Sequence, residues 1–153
     1  MLSLNYKKVF LKIMIGIVGI FALYFGIHTY ANGQLVKTYA KGFEQNPLGD
    51  YAKNESDMVL TVYEAPLFQT YTNLSVSNSK EKVDLIVWVP LFYSKELSYG
   101  LIVIDDENNA TYQIEVNNHL ETDDEKYKHI LQKKQNAINE IKSVAKKEWG
   151  LNF

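Results

Sequence analysis

The sequence predicts an α+β protein in which an N-terminal transmembrane helix leads into an antiparallel meander of about five strands packed against a C-terminal amphipathic helix. Three observations predict it: an apolar run from Ile13 to Tyr30, a series of short β-branched and aromatic stretches divided by turn residues, and a last segment with apolar residues at helical spacing. The connections between the strand-like stretches are too short for crossovers, so the strands pair antiparallel. A sheet with one apolar face followed by an amphipathic helix makes two layers.

Ile13 to Tyr30 is eighteen residues without a formal charge other than a possible one on His28. As a helix it spans roughly 27 Å, and with Val9, Phe10 and Leu11 added and Lys12 snorkelling back to the headgroups it reaches the ~30 Å of a bilayer core. Tyr24, His28 and Tyr30 fall near the far interface, where amphipathic rings are favoured. Lys7, Lys8 and Lys12 precede or enter the run and no acid does, which predicts the N-terminus in the cytoplasm and the C-terminal domain outside. A cleaved signal has the same two regions, and Thr29-Tyr30-Ala31 is a weak small-x-small site. Threonine at its first position and the long run ahead of it favour a retained anchor. A buried core helix is the third reading, disfavoured because the run is apolar on every face. Gly16, Gly19, Ala22 and Gly26 share one arc and would permit close helix pairing, although glycine is common in spans generally.

The expected organisation is a lysine-rich stub and anchor over 1–31, a stalk helix and linker over 32–50, and an extracytoplasmic domain over 51–153. Leu35, Val36, Tyr39, Ala40 and Phe43 continue a helical rhythm until Asn46-Pro47-Leu48-Gly49-Asp50 breaks it. Strands are expected over Met58 to Ala65, Phe68 to Val76, Val83 to Phe92, Tyr99 to Ile104 and Ala110 to Asn117. The last alternates most cleanly, with Ala110, Tyr112, Ile114 and Val116 on one face and Thr111, Gln113, Glu115 and Asn117 on the other. Asp105 to Asn109 reads as its hairpin turn. The final helix is marked by a capping box at Thr122-Asp123-Asp124-Glu125, a stripe running from Tyr127 through Ile138 and Ile141 to Trp149, and a closing Gly150.

Composition narrows the chemistry. The chain has no cysteine, which removes disulfides, thiolate metal sites and catalytic thiols. It also has no arginine, and its heavy use of lysine, asparagine, isoleucine and tyrosine suggests an AT-rich bacterial genome. Beyond the apolar run, thirteen lysines face eighteen acids, a balance of −5 that gives no electrostatic reason to bind nucleic acid or anionic lipid. Glu125 and His129 share a helix face at i, i+4, yet one such pair supplies too few ligands for zinc. Oxygen ligands are dense from Asp105 to Asn109, but Ala110 and Val116 stand where a calcium loop of the EF-hand type needs glycine and a bidentate glutamate. No phosphate loop, nucleophile elbow or H-E-x-x-H occurs, so no catalytic residue, metal or cofactor is expected.

Both parities of Val83 to Phe92 are apolar, and one helix covers only one face of a sheet. Either the stalk helix covers the second face or a partner does. Trp88, Phe92, Tyr93 and Tyr99 are therefore the candidate partner-binding residues, while Lys7, Lys8, Lys12, Gly16, Gly19, Gly26, Tyr24 and Tyr30 are the membrane-anchor residues. The expectation is a tethered protein-binding module without catalysis, meeting an envelope or secreted protein partner and touching the lipid bilayer through its N-terminal helix, one concrete form being an immunity-type protein against a secreted toxin. Two alternatives remain open. A short tail, one span, a helix and an antiparallel sheet is also the order of elements in inner-membrane assembly subunits of conjugation and secretion machines, a likeness carried by no motif. An envelope enzyme or small-ligand receptor would instead need convergent polar groups in a pocket, and the inward positions are almost all apolar.

Overall fold

The apolar run forms the middle of one continuous helix, α1 (Ser3–Tyr39), which is long and apolar enough to cross a membrane. Nearly every large apolar side chain from Tyr6 to Ile27 on it is exposed, including Ile20 at 70% and Leu23 at 66%. Its end is different: Leu35, Val36 and Tyr39 pack against the core of the following domain. The helix closes where Ala40 still donates to the Val36 carbonyl and Gly42, at φ +83°, turns the chain away. The computed structural model describes residues 3–92 and 96–153, with side-chain surroundings from Tyr6 onward.

Seven strands follow in an antiparallel meander whose spatial order is the chain order: β1 (Glu44–Gln45), β2 (Tyr51–Glu55), β3 (Met58–Val62), β4 (Tyr71–Asn78), β5 (Val83–Pro90), β6 (Ser98–Asp105) and β7 (Ala110–Val116). The five expected strands are all present, and the two additional ones, β1 and β2, make the count of about five too low. Alternation assigns the faces. Val83, Leu85, Val87 and Val89 of β5 are at most 4% exposed, whereas Asp84, Ile86, Trp88 and Pro90 are half-buried on the other side. Cross-strand register aligns the first set with Leu60, Val62, Leu74 and Val76 on one flank and with Tyr99, Leu101, Val103 and Ile114 on the other, all buried.

The C-terminal layer is two helices rather than one: α2 (Glu125–Lys133) and α3 (Gln135–Trp149). Helical spacing from Ile130 and Leu131 to Ala137 and Ile138 puts Lys134 on the apolar stripe. Its ammonium leaves the core to donate 2.7 Å to the Glu81 carbonyl, and its N–H is shared between Ile130 and Leu131 at 3.2 Å each, so the helix bends there. The N-terminal cap also lies two residues later than the capping box places it. Asp124 accepts from the Lys126 N–H at 3.0 Å, while Thr122 only accepts from Asp124 at 3.3 Å. At the other end Gly150, at φ +67°, closes α3 as expected.

Ile138, Ile141, Ala145 and Trp149 of α3 bury against the covered face of the sheet. Ion pairs tie the rim of this layer to β2, with Lys53 on Glu148 at 2.7 Å and Lys147 on Glu55. Trp149 donates Nε1 to the Tyr39 carbonyl at 3.1 Å, which places the end of α1 on the same side as α3. The stalk portion of α1 therefore closes the covered face, and among the described residues no element lies over the opposite one.

Candidate functional site

The uncovered face is built from the alternate residues of β2 to β7. Register sets Thr61, Ser75, Ile86, Gly100 and Glu115 in one row, and Val59, Ser77, Asp84, Ile102 and Gln113 in the next. Trp88 stands beside them, between Asn73 and Ser98. Its indole reclines diagonally across Gly100, so that a Cβ at position 100 would lie 2.6 Å from Trp88 Cη2 and 2.9 Å from Cζ3. Glycine is what lets the ring lie flat on the sheet there. Ile86, Trp88 and Ile102 then form the apolar floor of a shallow concavity of about 470 Å³, rimmed by Ser98, Gln113 and Glu115.

The electrostatics of the face are one-sided. It carries Asp84 and Glu115, and none of the paired positions named above is a lysine. Burial pushes the Asp84 carboxyl above the ordinary carboxylate range, and a hydrogen bond from Ser77 opposes this. The side-chain oxygen of Asn73, opposite Trp88, is buried without a hydrogen-bond partner among the described residues. An acceptor left in that state costs about 1–3 kcal/mol, which an incoming donor would relieve.

The expected partner-binding residues separate. Trp88 lies on the uncovered face. Phe92 is half-buried in the connection after β5 and turns toward α1, its ring 6.4 Å from that of His28. Tyr99 is corrected to a core residue: it shares the parity of Leu101 and Val103, is 6% exposed, and packs on Phe153 with ring centroids 5.6 Å apart. Tyr93 lies outside the described residues. Ile86, Gly100 and Ile102 belong to the face and were not singled out from sequence, although the parity of Trp88 points to them.

Along α1, Lys7, Lys8, Lys12 and Tyr30 are exposed, and a Cβ added at Gly16, Gly19 or Gly26 meets nothing within 4 Å. Tyr24 is partly covered, and His28, placed by the sequence at a membrane interface, is only 4% exposed because loops of the sheet domain close over it. Glu125 engages Lys128 at 2.6 Å rather than His129. Asp105 closes its hairpin, accepting from the Glu107 N–H at 3.1 Å and from Asn108 Nδ2 at 2.7 Å, with Asn109 at φ +48°. These bonds, that from Asn108 first, hold the Asp105 carboxyl below the ordinary range. No group of three potential metal-ligating side chains comes together among the described residues.

No protein-family model, curated protein or solved structure matches this chain.

Proposed function

We propose that this chain is a single-pass membrane protein whose extracytoplasmic domain binds a protein partner on the uncovered sheet face, without catalysis. The observation that carries the reading is the reclining Trp88 over Gly100, flanked by Ile86 and Ile102 and rimmed by polar side chains. An aromatic anchor surrounded by residues that exclude water is where binding energy concentrates. Asp84 and Glu115 select a partner that brings basic groups to the rim, and the Asn73 oxygen offers an acceptor to a buried donor. Tethering confines the search for that partner to the envelope and raises its effective concentration there. A neutralising protein of the immunity type is the most concrete form of this reading.

The lysines ahead of the apolar run support a cytoplasmic N-terminus, and the exposed apolar surface from Tyr6 to Ile27 supports retention in the bilayer. Two experiments test the proposal. Protease added to intact, wall-stripped cells should digest the domain while the full-length species fractionates with membranes. A soluble mature form beginning near Asn32, or a protected domain, contradicts the topology. Trp88→Ala should abolish partner binding by a folded protein, whereas His119→Ala and His129→Ala should leave it intact. Wild-type behaviour of Trp88→Ala together with loss in either histidine variant contradicts the binding reading.

A further inference from the structure

Helix α1 meets the sheet domain along one stripe. Asn32 brackets Ala65, accepting from its N–H at 3.1 Å and donating Nδ2 to its carbonyl at 3.4 Å. One turn earlier His28 Nε2 donates to the Gln69 carbonyl at 3.2 Å, and one turn earlier again Tyr24 stacks on Phe68, ring centroids 5.8 Å apart and planes 9° from parallel. The connection between β3 and β4 thus descends along α1 from Asn32 to Tyr24, about 12 Å toward the N-terminus. Its tip is a turn closed by the Gln69 N–H on the Pro66 carbonyl at 3.0 Å, which holds Leu67 and Phe68 outermost. Phe68 sits there at φ +75°, a region that aromatic side chains rarely adopt.

The depth of that tip follows from bilayer dimensions. From Val9, the first residue past Lys8, to Tyr24 the helix rises only about 24 Å, against the ~30 Å of a hydrocarbon core. A bilayer crossed by α1 therefore extends past Tyr24 toward the domain, to about His28, and any tilt of the helix carries it further. The surface of α1 agrees, since Phe25 and Ile27 are 57% and 49% exposed. Phe68 lies beside Tyr24, inside this thickness. Leu67 and Phe68 are themselves 45% and 65% exposed, and no charged residue occurs between Ala65 and Tyr71. Glu64, the nearest charge in the connection, precedes the level at which Asn32 holds Ala65.

We infer that the Pro66–Gln69 turn is a membrane wedge whose Leu67 and Phe68 insert at the boundary of headgroups and acyl chains in the leaflet facing the domain. The occupant of this exposed apolar tip is lipid, because the tip is continuous with the apolar surface of α1 and sits at the same depth. The domain is then seated on the bilayer at two points rather than hung from a free stalk. The inference rests on reading α1 as a retained span.

The absence of cysteine permits a direct test with single spin labels on the full chain, reconstituted in vesicles of phosphatidylethanolamine and phosphatidylglycerol. Labels at Leu67→Cys and Phe68→Cys are compared with Ile20→Cys in mid-span and with Leu48→Cys, which is 88% exposed on the sheet domain. The wedge predicts that labels 67 and 68 favour oxygen over a nickel chelate, as label 20 does, and meet the chelate several-fold less than label 48. Chelate access at 67 and 68 equal to that at 48, with label 20 still shielded, overturns the wedge and leaves the span standing. Chelate access at label 20 as well overturns the span and the wedge together.

Discussion

The two faces of the sheet are made from the same strands and meet different fates. On β5, Val83, Leu85, Val87 and Val89 disappear beneath α2, α3 and the end of α1, while Ile86 and Trp88, one residue out of phase, lie on an uncovered face. The covered face is closed by packing from α3, α2 and the end of α1, and the charges of β2 at its rim are paired with α3. The uncovered face has an apolar centre, the acids Asp84 and Glu115 and, at Asn73, an acceptor without a partner among the described residues, and its tryptophan, Trp88, lies flat because Gly100 leaves room. The difference teaches that apolarity on both parities of a strand need not mean burial on both: helices close one side, and the other is left uncovered, the side on which we propose that a partner docks.

Breaking the covered face should have the largest effect. Ile138 and Ile141 are 3% and 0% exposed, and Ile→Ala in a packed core costs about 2–5 kcal/mol each. Against a total of roughly 5–15 kcal/mol the double variant should be largely unfolded, seen as loss of the cooperative thermal transition. On the uncovered face, Trp88→Ala should leave that transition in place and weaken partner binding by more than ~2 kcal/mol, measured by calorimetry on the solubilised full chain.

A smaller change sharpens the comparison. Gly100→Ala forces the indole of Trp88 off the sheet without touching the core. In a Trp149→Phe background, where Trp88 is the remaining tryptophan, its emission should shift to the red while the thermal transition moves little. Unchanged emission would show that the ring does not rest on Gly100.

Titration separates the faces by sign. Burial raises Asp84, so the stability it contributes is fully present below its unfolded pKa of about 4 and is lost as pH rises through its folded pKa. Asp84→Asn should therefore raise the melting temperature slightly at neutral pH, an advantage that shrinks on acidification. Glu55, on the covered side, is held low chiefly by its hydrogen bond from Lys147. Its contribution is present above its unfolded pKa and is lost as pH falls through its folded one, so Glu55→Gln should be mildly destabilising at neutral pH and neutral in acid. Melting curves across pH check both.

Much of the fold is legible in the sequence because alternation and helical spacing follow burial. The exceptions are physical. β2 carries Lys53 and Glu55 on its covered side, where Glu148 and Lys147 of α3 pair them, so its pattern does not read as a strand. Lys134 escapes the core by reaching the Glu81 carbonyl, which splits a helix that spacing alone would draw as one. Tyr99 reads as a surface aromatic by composition, yet its parity with Leu101 places it inside. The stacking of Phe68 on Tyr24 joins residues far apart in the chain, and no local pattern announces it.

The proposal that the uncovered face is the docking surface is tested most directly by site-specific photo-crosslinking of the full chain in intact cells, with the probe at Gln113 on that face or at Lys146 on the outer side of α3. The prediction is a discrete protein adduct from Gln113 that disappears when Trp88→Ala is added, and none from Lys146. An adduct from Lys146 alone, or a Gln113 adduct that Trp88→Ala leaves unchanged, would contradict it.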